Sequence, residues 1–336
     1  MVRPAGGNRA LTPQRRLLRT KWLWIGGLAA FLILLPNLLW NIQYHFPFLE
    51  LQANIRRGGR NVDLTPLAFL GQEILAMLPM SAPIWLAGLW LFIFRREGKP
   101  FRALGWAWLT AAALILALNP RIYYLFPAFP LLFAGGSVLW EQWLAGARVH
   151  WIKPVYAALL VLMAAVLAPM MIPVLPVETY IRYSTAMHLA PPRIETHKLG
   201  PLPQLFADQF GWEEMVATVA RVYDGLPADV RTRTAIFAQN YSQAGAVDLF
   251  GPKYGLPKAI GGHQSYYLWG PRDYTGESMI VMQGRQDELE RLFQVVRKVA
   301  RVEHPYSMPH NHFDVFYCRG LRLPLKELWP QVKIWD

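Results

Sequence analysis

Apolar and polar positions divide this chain into two phases. Up to about residue 175 the apolar residues fall in blocks long enough to cross a hydrocarbon layer of about 30 Å, and beyond it charged residues recur every few positions. Five blocks stand out: Trp22 to Trp40, Pro66 to Phe94, Phe101 to Leu118, Ile122 to Leu144 and Pro154 to Leu175. Each is near or above the roughly 20 residues that a spanning helix needs. The second is overlong and holds Pro79 and Pro83, which predicts a kinked span or a helix that begins along the membrane surface.

After the last block, the Pro-rich stretch from Pro176 to about Pro203 has no sustained period and predicts an extended connector. Met215, Val216, Val219 and Val222 recur at helical spacing within Trp212 to Tyr223. Thr234 to Ala238 and Ser278 to Met282 read as short strands, and Gln286 to Phe293 as an amphipathic helix. The pattern predicts a membrane all-α helical bundle of about five transmembrane helices followed by a small α/β soluble domain. Its divisions are residues 1–21, a cytoplasmic segment; 22–175, the transmembrane domain; 176–202, the connector; and 203–336, a periplasmic α/β domain. Exposed rings at Tyr266, Tyr267 and Trp269 would predict that this domain packs on the outer ends of the helices.

Composition and charge placement sharpen this picture. A hydrophobic fraction of 54% fits a large soluble protein as well as a membrane one, so the block distribution decides. The net charge of +12 would suggest nucleic acid in a soluble protein, yet many of the Lys and Arg residues flank the apolar blocks, which argues against that partner. Arg15, Arg16, Arg19, Lys21, Arg95, Arg96, Lys99, Arg102, Arg148 and Lys153 fall on one side of five crossings, and Arg56, Arg57, Arg60 and Arg121 on the other. The positive-inside bias puts the first set in the cytoplasm and everything after Leu175 outside. No cleavable leader pattern follows Arg19, so Trp22 onward predicts a retained helix, and the lone Cys318 predicts a free thiol.

Four constellations can carry chemistry. In Asn119 to Pro130 (NPRIYYLFPAFP), Arg121 offers a forked set of donors to a phosphate beside Tyr123 and Tyr124, or else it anchors the membrane boundary with an aromatic belt. The loop from Asn41 to Thr65 carries His45, Glu50, Arg56, Arg57, Arg60 and Asp63. Its basic cluster suits an anionic head group, while Ile42, Phe46, Leu49 and Ala53 also fit a plain amphipathic surface helix. The Gly-rich stretch from Gly251 to Pro271 brings His263, Tyr266 and Trp269 together, suiting carbohydrate or head-group contact or forming a structural loop. His310-x-His312-x-Asp314, with His304 nearby, is too sparse for a closed zinc site, so no metal is expected.

Pro36 to Asn41 (PNLLWN), Leu64 to Gln72 (LTPLAFLGQ), Arg121 to Pro130 (RIYYLFPAFP), Asn240 to Pro257, Gly262 to Pro271 and the ending from Cys318 to Trp335 together resemble the C-terminal part of bacterial GT-C glycosyltransferases of the protein O-mannosyltransferase and aminoarabinose-transferase superfamily. The resemblance implies transfer of a sugar from a polyprenyl-phosphate donor to an acceptor at the outer face of a bacterial inner membrane, with no cofactor. It implies that Arg121, Tyr123, Tyr124, Arg56 and Arg57 bind the lipid phosphate and that His263, Tyr266 and Trp269 lie on the acceptor side. Such enzymes carry an acidic outer loop in earlier helices, which implies either that this chain is a piece of a longer enzyme or that a separate chain supplies those helices as a partner, beside membrane lipid. The first outer loop here resembles a later family loop, so Glu50 and Asp63 do not inherit the catalytic role and the catalytic base is unassigned. The other class of function is a non-catalytic scaffold that binds polyprenyl phosphate or a partner subunit.

Overall fold

The computed structural model describes residues 19–58, 64–118, 121–145, 150–188 and 198–336; Arg15, Arg16, Arg60, Asp63 and Arg148 lie outside the described residues. Contacts divide the chain into one unit of Met1–Pro47 and Asn61–Leu175, and a second of Phe48–Arg60 and Pro176–Asp336.

Helix α1 (Lys21–Gln43) contains Pro36 and buries none of its residues. His45 and Phe46 take positive φ values of 58° and 55°, which break the helical run expected through Ala53 and start a new one, α2 (Pro47–Arg57). Most of α2 groups with the second unit rather than with the helices that flank it in sequence. The overlong block becomes α3 (Pro66–Ala76), a short 3₁₀ turn at Pro79–Ser81, and α4 (Ala82–Phe94), bent by 95°. Leu78, at φ 71°, and Pro79 make the break, since neither the left-handed residue nor the missing proline N–H continues a helix.

Helices α5 (Arg102–Leu118), α6 (Phe129–Ala145, entered through 3₁₀ turns at Ile122–Ala128) and α7 (Ile152–Met171) complete the first unit. Four described helical stretches are long and apolar enough to cross a membrane, and the bent pair makes a fifth if it counts as one span. The core of this unit is the crossing of α4 and α6. A Cβ at Gly88 would overlap the Leu132 carbonyl and one at Gly136 the Ile84 carbonyl, so the two backbones meet where neither residue has a side chain. Phe129 packs edge-on against both Trp85 and Trp108, at 5.3 and 5.7 Å between ring centroids.

The second unit differs from the pattern at its start: Val177–Ala186 forms helix α8 where a connector is predicted. Tyr180 supplies the reason, because it is buried with its ring 5.1 Å from Phe206 on the short α9 (Gln204–Ala207). Helix α10 (Trp212–Asp224) buries Met215, Val216 and Val219 as its spacing predicts. The rest, in chain order, is α11 (Ala228–Arg231), β1 (Thr234–Ala238), α12 (Tyr241–Phe250), β2 (Ile260–Gly261), α13 (Ser265–Trp269), β3 (Ser278–Met282), α14 (Gln286–Leu292), β4 (Phe293–Val302), β5 (Phe313–Leu321) and α15 (Leu325–Leu328).

The sheet order is β2-β1-β3-β5-β4, with β1 parallel to β2 and β3, and β5 antiparallel to β3 and β4. Ile236 pairs with Ile280 and Phe237 with Val281, so alternate residues feed two cores on opposite faces. All five residues of β1 and of β3 are buried, as expected of strands covered on both sides.

Candidate functional site

In the first unit, Arg121 precedes the 3₁₀ turns that lead into α6. Its Nη1 donates to the Tyr123 hydroxyl at 2.9 Å, and its guanidinium carbon lies 6.0 Å from the centre of that ring. Tyr124 packs edge-on against Tyr123 at 5.0 Å, and both rings are exposed. The three predicted residues therefore form one cluster: a half-buried cation whose fork is steadied by a phenol.

Glu73 on α3 escaped the sequence analysis. It sits in a predominantly apolar run beside Gln72, its carboxylate is buried, and neither oxygen has a hydrogen-bond partner among the described residues. Helix α3 packs against the 3₁₀ segment that Arg121 opens. A charge this deep among apolar helices is costly and marks function more often than structure. The signal was available as a single acid inside an apolar block.

In the second unit, the carboxyl ends of the three parallel strands meet where the strand order reverses about β1, the usual place for a ligand crevice in an open α/β sheet. A cleft of about 470 Å³ lies there, lined by Gln239 and Asn240 after β1, His263 after β2, Gln283 after β3, and by Asn54, Ile55, Gly58, His310, Ile334 and Asp336. Asn54 on α2 donates to the Trp335 carbonyl at 2.6 Å, and Lys333 pairs with Glu50 at 2.7 Å, which explains why α2 belongs to this unit. Arg56 and Arg57 are exposed on α2 between two of the lining residues. The fold thus brings His263 and the basic pair of α2 into one unit, while Arg121, Tyr123 and Tyr124 belong to the other.

His263 is buried. Its Nδ1 accepts from the Tyr241 N–H at 3.4 Å and its Nε2 lies 3.2 Å from the Asp336 carbonyl. Close packing of the C-terminal stretch depends on Gly262, whose Cβ would overlap the Val332 carbonyl. Tyr266 is not the exposed ring that the pattern predicts. It is buried in its own unit's core and donates to the Asp248 carboxylate at 3.1 Å; burial, then the neighbouring Asp248 charge, pushes its hydroxyl up to about 12. Tyr267 stacks on Trp329 at 6.1 Å, whereas Trp269 is exposed.

The His310-x-His312-x-Asp314 stretch serves other contacts. His312 Nε2 lies 2.9 Å from the His304 carbonyl, and Asp314 pairs with Lys298 at 2.8 Å and Arg301 at 3.0 Å, which holds its carboxyl below the usual range. Among the described residues, no group of three His, Cys, Asp or Glu side chains is placed to hold a metal ion.

Comparison with protein-family models, curated proteins and solved structures finds no match to this chain.

Proposed function

We propose that the chain is a membrane glycosyltransferase that moves a sugar from a polyprenyl-phosphate donor to an acceptor hydroxyl at the outer face of a bacterial-type inner membrane. The observation that carries this function is the phenol-steadied fork of Arg121 in an apolar helical unit that also holds the carboxyl of Glu73, unpartnered among the described residues. The resemblance of Arg121 to Pro130 to a GT-C segment points the same way.

In the transfer, the acceptor oxygen attacks the anomeric carbon, the bond from that carbon to the phosphate oxygen breaks, and the lipid phosphate leaves with the bonding electrons. Arg121 stabilises the phosphate charge as it grows, and Glu73 takes the acceptor's proton. Tyr123 orients the fork.

The test is to incubate the full chain in lipid with radiolabelled polyprenyl-phosphate sugars, measuring donor binding and label transfer separately. Loss of one charge-assisted contact in Arg121→Ala should cost about 1.5–3 kcal/mol, or on the order of tenfold to a hundredfold in donor affinity. Arg121→Lys should recover only part, because it keeps charge but loses the paired geometry. Glu73→Gln should bind donor normally and transfer about a hundredfold less label or worse. Donor binding without transfer by the parent chain would favour the non-catalytic scaffold, and full affinity in a folded Arg121→Ala would reject this phosphate site.

A further inference from the structure

The cleft at the carboxyl ends of β1, β2 and β3 is lined largely by uncharged groups that both donate and accept hydrogen bonds. Gln239, Asn240, Gln283 and Asn54 bring four carboxamides from two loops and a helix to one cavity, with the buried imidazole of His263 from a third loop beside them. Its volume of about 470 Å³ lies within the roughly 300–1,000 Å³ of small-molecule sites.

The amides are organised from beneath. Gln243, fully buried on α12, accepts from the Gln239 N–H at 3.2 Å, and its N–H donates to the Asn240 side-chain oxygen at 2.9 Å. Its own amide nitrogen donates to the Gln283 oxygen at 2.6 Å, which turns the Gln283 NH₂ group into a positioned donor. Gln283 and Gln264 both hold left-handed backbone, at φ 56° and 50°, a strained state for residues with side chains. Two such residues follow the ends of the parallel strands that flank β1. Strain concentrated at a crevice is a mark of pre-organisation.

We propose that this cleft binds a neutral polyhydroxylated ligand, a sugar ring. Each hydroxyl of a sugar both donates and accepts, and the carboxamides together offer both senses: with the Gln283 oxygen held by Gln243 and the Asn54 NH₂ group held by Trp335, Gln283 presents its NH₂ group and Asn54 its oxygen. A peptide backbone would present its polar groups along a line, whereas these amides converge from several directions. A phosphate would call for cationic lining, and the lining residues include none that is permanently positive. Ile55 and Ile334 in the lining supply apolar surface for the ring's C–H face. Binding here does not depend on the transfer chemistry above: sugar binding without transfer would sink that function and leave this site standing.

The full chain, purified in a detergent without a sugar head group, should show saturation-transfer NMR signals from methyl mannoside, methyl glucoside or N-acetylglucosamine. Gln283→Ala and Gln239→Ala should each weaken the binding about three- to tenfold, as loss of a neutral hydrogen bond implies. Leu249→Ala and Leu323→Ala, exposed side chains of the same unit outside the lining, should leave it unchanged, and matching circular dichroism would establish that the cleft variants fold. Absence of signal from all three glycosides would overturn the proposal. So would undiminished binding in both glutamine variants, or displacement of the glycoside by a blocked tripeptide at equal concentration.

Discussion

Single residues show most clearly where burial outweighs chemistry. Cys318 lies on β5 between β3 and β4 and is wholly buried, which pushes its thiol up to about 12 from an ordinary value near 9. A thiol whose folded pKa is raised adds stability that is complete below the unfolded value and is lost as pH climbs toward the folded one. The parent should therefore lose stability between pH of about 9 and 12 more steeply than Cys318→Ala, read as urea midpoints across that window. In the native protein at pH of about 8, a maleimide should label Cys318 far more slowly than in urea. Rapid native labelling would mean that β5 opens readily. Glu73 teaches a related lesson in an apolar setting: its residue type is plain in the sequence, but its burial without a partner among the described residues is visible only once α3 has a fold around it.

At the scale of elements, the same physics sets helix ends and helix contacts. Helix α10 was legible from its 3.6-residue period and buries the side that the period marks, whereas β1 and β3 were legible as short apolar runs and are buried on both sides. Strand β4 was not legible: Phe293–Val302 holds charged residues on a largely exposed strand, and its pairing with β5 supplies what its side chains do not. Helix α8 was hidden by the prolines that flank it and declared by the burial of Tyr180. The crossing of α4 and α6 yields a prediction of its own. Gly136→Leu must push the backbones apart, so it should lower the thermal midpoint of the first unit in detergent by several degrees, while Gly71→Leu on α3, with open space at its Cβ, should have little effect. Equal midpoints for the two variants would show that the close approach contributes nothing.

For the whole molecule, charge asymmetry argues for an inner N-terminus and an outer second unit. In intact cells, an impermeant maleimide should label Gln286→Cys without permeabilisation, since the starting residue is exposed on α14; labelling that waits for permeabilisation would reverse the orientation. Residue order alone determined the two-phase layout, the apolar helices and the strands β1 and β3, because hydrophobic length and period are local properties of the chain. It also made Arg121, Tyr123 and Tyr124 recognisable as a group, because they are neighbours in sequence. Tertiary structure alone decided that α2 joins the second unit through Asn54 and Glu50, that Tyr266 is core, and that Gln239, Gln243, His263 and Gln283 surround one cleft. His263 and Gln283 lie far along the chain from Gln239 and Gln243, and no shared period links them. Parallel pairing of β1 with β2 and β3 brings their carboxyl ends together, and local sequence carries no record of which strands will become neighbours.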